Sequence, residues 1–451
     1  MQMEDVSTLV ARQYEAFAYP EPFADLKAEV AKGYYQVGDP SLYGPVLWPR
    51  GRPQRPLKIL VAGCGTLQAA YAAYMNPDDA VVGIDLSETS LAHERYLQER
   101  HGLDNLKLFK GDLLEVGSLG ETFDVILSTG VLHHLADPGA GLAALRDVLA
   151  PDGVMVLMLY GQTVRTGVYM LQDAFRRIGV PQDENGVARV RGILAELPAR
   201  HYAQDYIGAA DELKHDTALV DTFLHPQDRA YTVPQLLDLV EASGLSFQNW
   251  VDNLPYWRNG FWGPDSAVAA AVDSLPARDH WAAVEMLSQA TGMHAFTVRH
   301  AGADVAMVDF DSEDWRQFVP HPAPGLARKA VGLFVRGGYE LNCSELEQFV
   351  LDGVDGTRTI EEIVDVPALA EIPVSERDEF ARRYFEHLWK LGHVMSGPEA
   401  IEDSGSGLFS KPKKAATRPS WVAISASMRW PQLSRWRGSA KAIRCWSRIA
   451  C

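Results

Sequence analysis

The chain has 451 residues and a hydrophobic share of 47%, enough for two or three domains with ordinary buried cores. Its formal charge is −17, yet residues 411–451 carry ten basic side chains and no acidic one, which leaves −27 on the rest. An acidic body repels phosphate backbones, so nucleic-acid binding is expected, if anywhere, only at that basic tail.

Residues 1–56 read as an N-terminal cap. Val6 to Ala18 can form a helix, and proline- and aromatic-rich chain follows (YPEPF at 19–23, SLYGPVLWPRGRP at 41–53). From Leu57 the pattern alternates: strands at 57–63, 80–86, 106–112, 123–130 and 154–161, with helices at 67–74, 88–101 and 140–149 between them. Ser87 is placed to cap the second of those helices. Short links between strand and helix mean parallel strands in a doubly wound sheet. Residues 162–232 lose the rhythm and read as a helical insertion over the C-terminal edge of the sheet. A helix at 232–244 and strands at 245–251 and 294–300 complete a seven-stranded Rossmann-like α/β domain spanning 57–300. Residues 305–400 read as a small, mostly helical module, and 403–451 as a disordered basic tail.

Four cysteines (Cys64, Cys343, Cys445 and Cys451) show no CxxC spacing and no His/Cys cluster. No metal site is therefore expected, and a reducing compartment is. MQMEDVSTLV has neither a basic start nor an apolar core, and no apolar run reaches about 18 residues, so a cytoplasmic location is expected.

The chemistry concentrates at ILVAGCGTLQ, 59–68, where a strand runs into Gly63-Cys64-Gly65 and then a helix. Glycines permit a sharp turn and close approach to a ligand. Gly63 and Gly65 match the first two glycines of GxGxxG, while Gln68 stands at the third. Asp85 lies 22 residues after Gly63 at the end of the second strand, where a carboxylate can accept both hydroxyls of a ribose. Asp112 ends the third strand, where it can accept from an adenine amino group or serve only as a turn residue.

These residues resemble the class I S-adenosylmethionine-dependent methyltransferases over Leu57 to Tyr160. VAGCGT, VVGIDLS, KGDLLE, FDVILSTGVLHHLADP and LRDVLAPDGVMVL follow one another as that family's five motifs do. The resemblance implies S-adenosyl-L-methionine as cofactor, bound across Gly63, Cys64, Gly65, Asp85, Leu86, Asp112, Leu113, Ser128 and Thr129, with a protein, peptide or small molecule as methyl acceptor. One departure stands out: the acidic residue often found before the glycine loop is replaced by Leu60-Val61-Ala62. The amino-acid end of the donor must be held elsewhere, with the Gly63 carbonyl, Thr129 and groups of the N-terminal cap as candidates.

No catalytic residue is fixed by the sequence. His133, His134 and His225 are candidate bases, since histidine titrates near neutral pH, but the adjacent pair His133-His134 also serves to shape the turn. DTFLHPQDRAYT, 221–232, gathers Asp221, His225, Asp228, Arg229 and Tyr231 in the insertion, either to bind an acceptor or as a plain helix connection. LNCSELEQFVLDGVDGTRTIEEIVD (341–365) and LWKLGHV (388–394) are similar to the winged-helix-like peptide chaperone of pyrroloquinoline quinone biosynthesis, which implies leader-peptide binding by strand addition. A packing or dimerisation module is the alternative. Two other functions use the same first motifs: an NAD(P)-dependent oxidoreductase on a Rossmann fold, and a catalytically silent donor-binding protein.

Overall fold

A computed structural model describes residues 6–305 and 308–397; the expected basic tail lies outside them. The chain opens with three helices, α1 (Val6–Ala16), α2 (Leu26–Ala31) and α3 (Pro40–Leu47). Asp39 caps α3 through the Ser41 N–H, and Pro40 sits in its first turn. There follow β1 (Lys58–Ala62), α4 (Gln68–Met75), β2 (Ala80–Asp85), α5 (Glu88–His101), β3 (Leu106–Lys110), β4 (Phe123–Thr129), α6 (Pro138–Asp147) and β5 (Leu149–Tyr160). The expected Ser87 cap is present: its side chain accepts from Ser90 N–H, and Gly102 ends α5 in the left-handed region at φ +63°.

The insertion holds α7 (Gln162–Arg177), α8 (Glu184–Glu196), α9 (Gln204–Ala209) and α10 (Asp216–Phe223). It leaves and rejoins the domain at one point, because Gly161 and Tyr231 form a bridge beside the end of β5. Its helices bury a core of their own around Val168, Leu171, Phe175, Val190 and Phe223. The domain closes with α11 (Val233–Ala242), β6 (Leu245–Trp250), α12 (Ala267–Val272), α13 (Ala277–Ser288) and β7 (Met293–His300).

The seven strands run in the order β3-β2-β1-β4-β5-β7-β6. Strands β1 to β5 are parallel, as strand–helix alternation predicts. β7 is antiparallel to both neighbours, a reversal that hydropathy alone does not reveal. Apolar clusters cover both faces, one with α3 and α4 and the other with α6 and α11, so the central strands are buried throughout. Chain order reverses at β1, between β2 and β4, and the crevice beyond the strand ends opens there.

The C-terminal module carries short strands besides its expected helices. It contains β8 (Val319–Pro322), β9 (Ala327–Ala330), β10 (Leu333–Arg336), β11 (Tyr339–Asn342), α14 (Glu345–Leu351), α15 (Ile360–Val364), α16 (Val374–Lys390) and β12 (Val394–Gly397). β9 to β11 make an antiparallel sheet, and β8 pairs with β12. Four-residue strands are too short for alternation to register in the sequence. The module is docked on the domain by a buried ion pair between Arg336 and Asp252, and by Asn253 Nδ2 donating to the Trp389 carbonyl at 3.2 Å.

Candidate active site

A pocket with about 1040 Å³ of free space, its mouth included, opens at the C-terminal ends of the parallel strands. Gly63, Asp85, Asp112, Thr129 and Tyr160 enter it from successive strand ends, and α1 crosses it with Ser7, Val10 and Tyr14.

One end of the pocket is built from contiguous loops. Gly63 and Gly65 lie at φ +76° and +56°, which only glycine adopts freely, and a Cβ on Gly63 would collide with Val131. The N–H groups of Gly63 and Cys64 donate to the Ile84 carbonyl at 2.8 and 3.1 Å, pinning the loop beside Asp85. Asp85 Oδ2 accepts the Gly65 N–H and Oδ1 the Ser87 N–H, each at 2.8 Å. A carboxylate has about four acceptor sites, so capacity remains beyond these bonds. Burial raises the Asp85 pKa, opposed by those two backbone donors. Asp112 Oδ1 accepts the Leu114 N–H at 2.9 Å, and Leu86 and Leu113 also line the pocket. Thr129 Oγ1 donates to Gln68 Oε1 at 2.8 Å, which leaves the Gln68 amide NH₂ as a donor. Sequence reasoning registered Gln68 only as a missing glycine; its place on the first turn after the loop was the signal that it reaches the pocket.

Two expected residues turn their side chains elsewhere. Ser128 Oγ donates to the Ala62 carbonyl at 3.2 Å, within the sheet. Cys64 is buried against Glu94, and burial pushes its thiol pKa up. Glu94 in turn accepts the N–H groups of Ala69 and Ala70 at 2.9 and 2.8 Å, anchoring the start of α4; burial raises its pKa to about 8.

The other end is assembled from distant segments. Tyr14 Oη donates to Asp221 Oδ1 at 2.9 Å, and Tyr160 Oη to Oδ2 at 3.3 Å. Burial is the main cause raising the Asp221 pKa, with His134 and Arg165 acting the other way. Burial also raises both tyrosine pKa values, so their hydroxyls stay protonated donors. Behind them, the buried side chain of Asp228 accepts from Arg165 at 3.3 Å and from Gln172 at 2.9 Å. The Arg165 guanidinium lies 3.6 Å from the centre of the Tyr160 ring, a cation–π contact.

Of the three candidate histidines, only His134 lines the pocket. His133 packs on Tyr160 with ring centres 3.9 Å apart, and neither of its nitrogens has a hydrogen-bond partner among the described residues. His225 stacks on His134 at 3.8 Å and accepts the Gln227 N–H on Nδ1 at 3.1 Å. Burial drives the pKa of both His133 and His225 down. The insertion's polar run therefore divides: Asp221 faces the pocket, His225 and Asp228 stand behind it, and Arg229 lies over the Tyr231 ring at the stem.

His134, Asp221 and His225, and also His133, His134 and Asp228, each bring three metal-ligand atoms within 4.8 Å, which linear spacing hides. Two observations favour hydrogen bonding over a cation here. Arg165 already balances Asp228. The bond accepted at His225 Nδ1 leaves its proton on Nε2, the nitrogen 3.4 Å from Tyr14 Oη.

Residues 60–155 match the family model described as a methyltransferase domain. An uncharacterized Synechococcus protein, syc1184_c, is 31% identical over 296 residues, covering 63% of this chain and 69% of that protein; the two belong to one family. A ubiquinone biosynthesis O-methyltransferase of Azorhizobium caulinodans is 30% identical over 116 residues, 26% of this chain and 45% of that enzyme, so this chain spans less than half of its length. The fold is similar to that of PKMT2 from Rickettsia typhi, with TM-score 0.62, 13% identity, and 81% and 76% of the two chains covered. The same protein in complex with AdoHcy gives a TM-score of 0.56 at 14% identity, over 80% and 75% of the chains. The family model ends at residue 155, so the chaperone-like character of 341–394 rests on sequence alone. No helix among the described residues is long and apolar enough to cross a membrane. The oxidoreductase reading is set aside by these matches, and the chain belongs to the class I S-adenosylmethionine-dependent methyltransferase family.

Proposed function

We propose that this protein binds S-adenosylmethionine across the loops after β1 to β4 and passes its methyl group to an amine held at Asp221. The donor supplies a methyl group already activated on a positive sulfur. The Asp85 carboxylate keeps acceptor capacity beyond its bonds to the backbone, which suits the hydroxyls of a ribose. Asp112 Oδ2 suits the adenine amino group, with Leu86 and Leu113 against the ring. The Gln68 amide and the Gly63 carbonyl serve the amino-acid end, where the family's usual acidic residue is absent. Cys64 and Ser128 support the loop rather than touch the donor.

The observation that carries the amine reading is Asp221. Its buried carboxyl group lines the pocket between two tyrosine hydroxyls. Asp221 and Asp228 face one fixed cation, Arg165, so carboxyl groups outnumber guanidinium groups here, which favours an incoming cation. The ring of Tyr14 adds cation–π attraction, whereas Arg165 and His133 already cover the Tyr160 ring. Excluding water and fixing the line of attack would supply much of the rate.

The test is incubation of a cell extract with methyl-labelled donor and the purified protein. Label in N-methyl groups, strongly reduced with Asp221→Asn, is expected. Label in O-methyl groups would overturn the amine reading, and no label with intact donor binding would point to a silent binding protein.

A further inference from the structure

We infer that His134 Nε2 takes the proton from the acceptor amine, and that Asp228 is the residue that positions and supports it. The inference rests on the proposed amine acceptor. An amine arrives as an ammonium ion and has no lone pair until a proton leaves. Of the three imidazoles, hydrogen bonding fixes the tautomer of two. His134 Nδ1 lies 2.9 Å from the Gln227 carbonyl, which can only accept, so Nδ1 carries a hydrogen and the lone pair of the neutral ring falls on Nε2. His225 has the opposite arrangement, since its Nδ1 accepts the Gln227 N–H. His133 is enclosed behind Tyr160 and does not reach the pocket. One short loop of the insertion thus sets both tautomers, and only His134 presents an acceptor nitrogen on a ring that lines the pocket.

Asp228 supplies the second half of the device. Its Oδ2 is taken by Arg165 and Gln172, but its buried Oδ1 has no hydrogen-bond partner among the described residues. That oxygen lies 4.0 Å from His134 Nδ1. A buried acceptor without a partner is costly at rest and is relieved when the neighbouring imidazole becomes positive. The other groups facing His134 are Tyr14 from α1, Tyr160 from β5, Arg165 from α7, Asp221 from α10, and His133 and His225.

The step balances simply. The ammonium N–H bond breaks and its proton goes to Nε2. The freed nitrogen lone pair then forms the bond to the methyl carbon while the carbon–sulfur bond breaks and its electron pair stays on sulfur. The products are a methylammonium group and S-adenosylhomocysteine, and the imidazolium releases its proton to solvent.

The experiment uses the full chain, methyl-labelled S-adenosylmethionine and the extract fraction that takes up label. His134→Asn keeps a donor near the Nδ1 position but has no base. The expected result is a fall in initial rate of roughly 10²-fold or more near neutral pH, with partial recovery as pH rises and solvent deprotonates the amine. Asp228→Asn should lower kcat with little change in the KM of the donor, and should also recover at high pH. Unchanged affinity for S-adenosylhomocysteine by calorimetry shows that each variant is folded. Nitrogen-15 NMR of labelled histidine gives a second readout that needs no acceptor: His134 should show an unprotonated Nε2. A His134→Asn rate and pH profile equal to the parent's, or a His134 protonated on Nε2 alone, would overturn the inference. Failure of the parent to bind S-adenosylhomocysteine would instead overturn the donor site itself.

Discussion

The two ends of the pocket are built in opposite ways. The end at Asp85 uses backbone: two glycines at positive φ, N–H groups fixed on the Asp85 carboxylate, and a loop tied to the Ile84 carbonyl, all within residues 63–131. The end at Asp221 uses side chains from α1, β5 and α10, joined by hydrogen bonds between tyrosines and a carboxylate 207 and 61 residues away. Loops of fixed backbone geometry hold Asp85 and Asp112 in place for a constant ligand. A cluster of side chains carried by an inserted lid can be exchanged without disturbing the sheet, so the Asp221 end is where substrate choice can change.

The sharpest way to break this comparison is to remove the support of the inserted lid. Arg165→Met leaves Asp228 buried without its cation and should cost about 3–5 kcal/mol of stability, read from a urea midpoint. A cost near zero would mean that the insertion does not depend on that pair. Next, Asp221→Asn should cut methyl transfer about a hundredfold, through lost charge and misplacement of the amine. Turnover at the parental rate would remove Asp221 from the acceptor site.

The Asp85 end carries a pH signature. Burial holds the Glu94 pKa at about 8, above its ordinary value of 4.5. The folded state therefore keeps a proton that the unfolded chain has released, and stability falls as pH rises from about 4.5 to about 8. Glu94→Gln should flatten that slope in thermal midpoints measured across the range; an unaltered slope would assign it to other groups. The smallest effect is expected at Cys64. Its side chain faces Glu94, so Cys64→Ala should change S-adenosylhomocysteine affinity by less than about twofold. A larger loss would mean that the thiol reaches the donor.

The difference between the two ends also decides what the sequence reveals. Gly63, Gly65, Asp85 and Asp112 are legible because local spacing fixes them on consecutive strand ends. Gln68 is adjacent and was visible only as a broken pattern. Tyr14 carries no motif, and its link to Asp221 depends on α1 crossing the strand ends, a long-range arrangement that periodicity does not encode. His134 and His225 are similar: the stacking of their rings and the two bonds to Gln227 follow from the insertion returning at Tyr231. In the C-terminal module, α14 and α15 are readable from the capping boxes Ser344/Glu347 and Thr359/Glu362, whereas four-residue strands leave no periodic trace.

Calorimetric titration of S-adenosylhomocysteine into the parent, Asp85→Ala and Asp221→Asn proteins tests the division most directly. Asp85→Ala should weaken binding by about 1–3 kcal/mol, the value of a lost charged hydrogen bond, while Asp221→Asn should bind as the parent does. Equal losses in both variants, or undiminished affinity in Asp85→Ala, would contradict a pocket with a backbone-built donor end and a separate acceptor end.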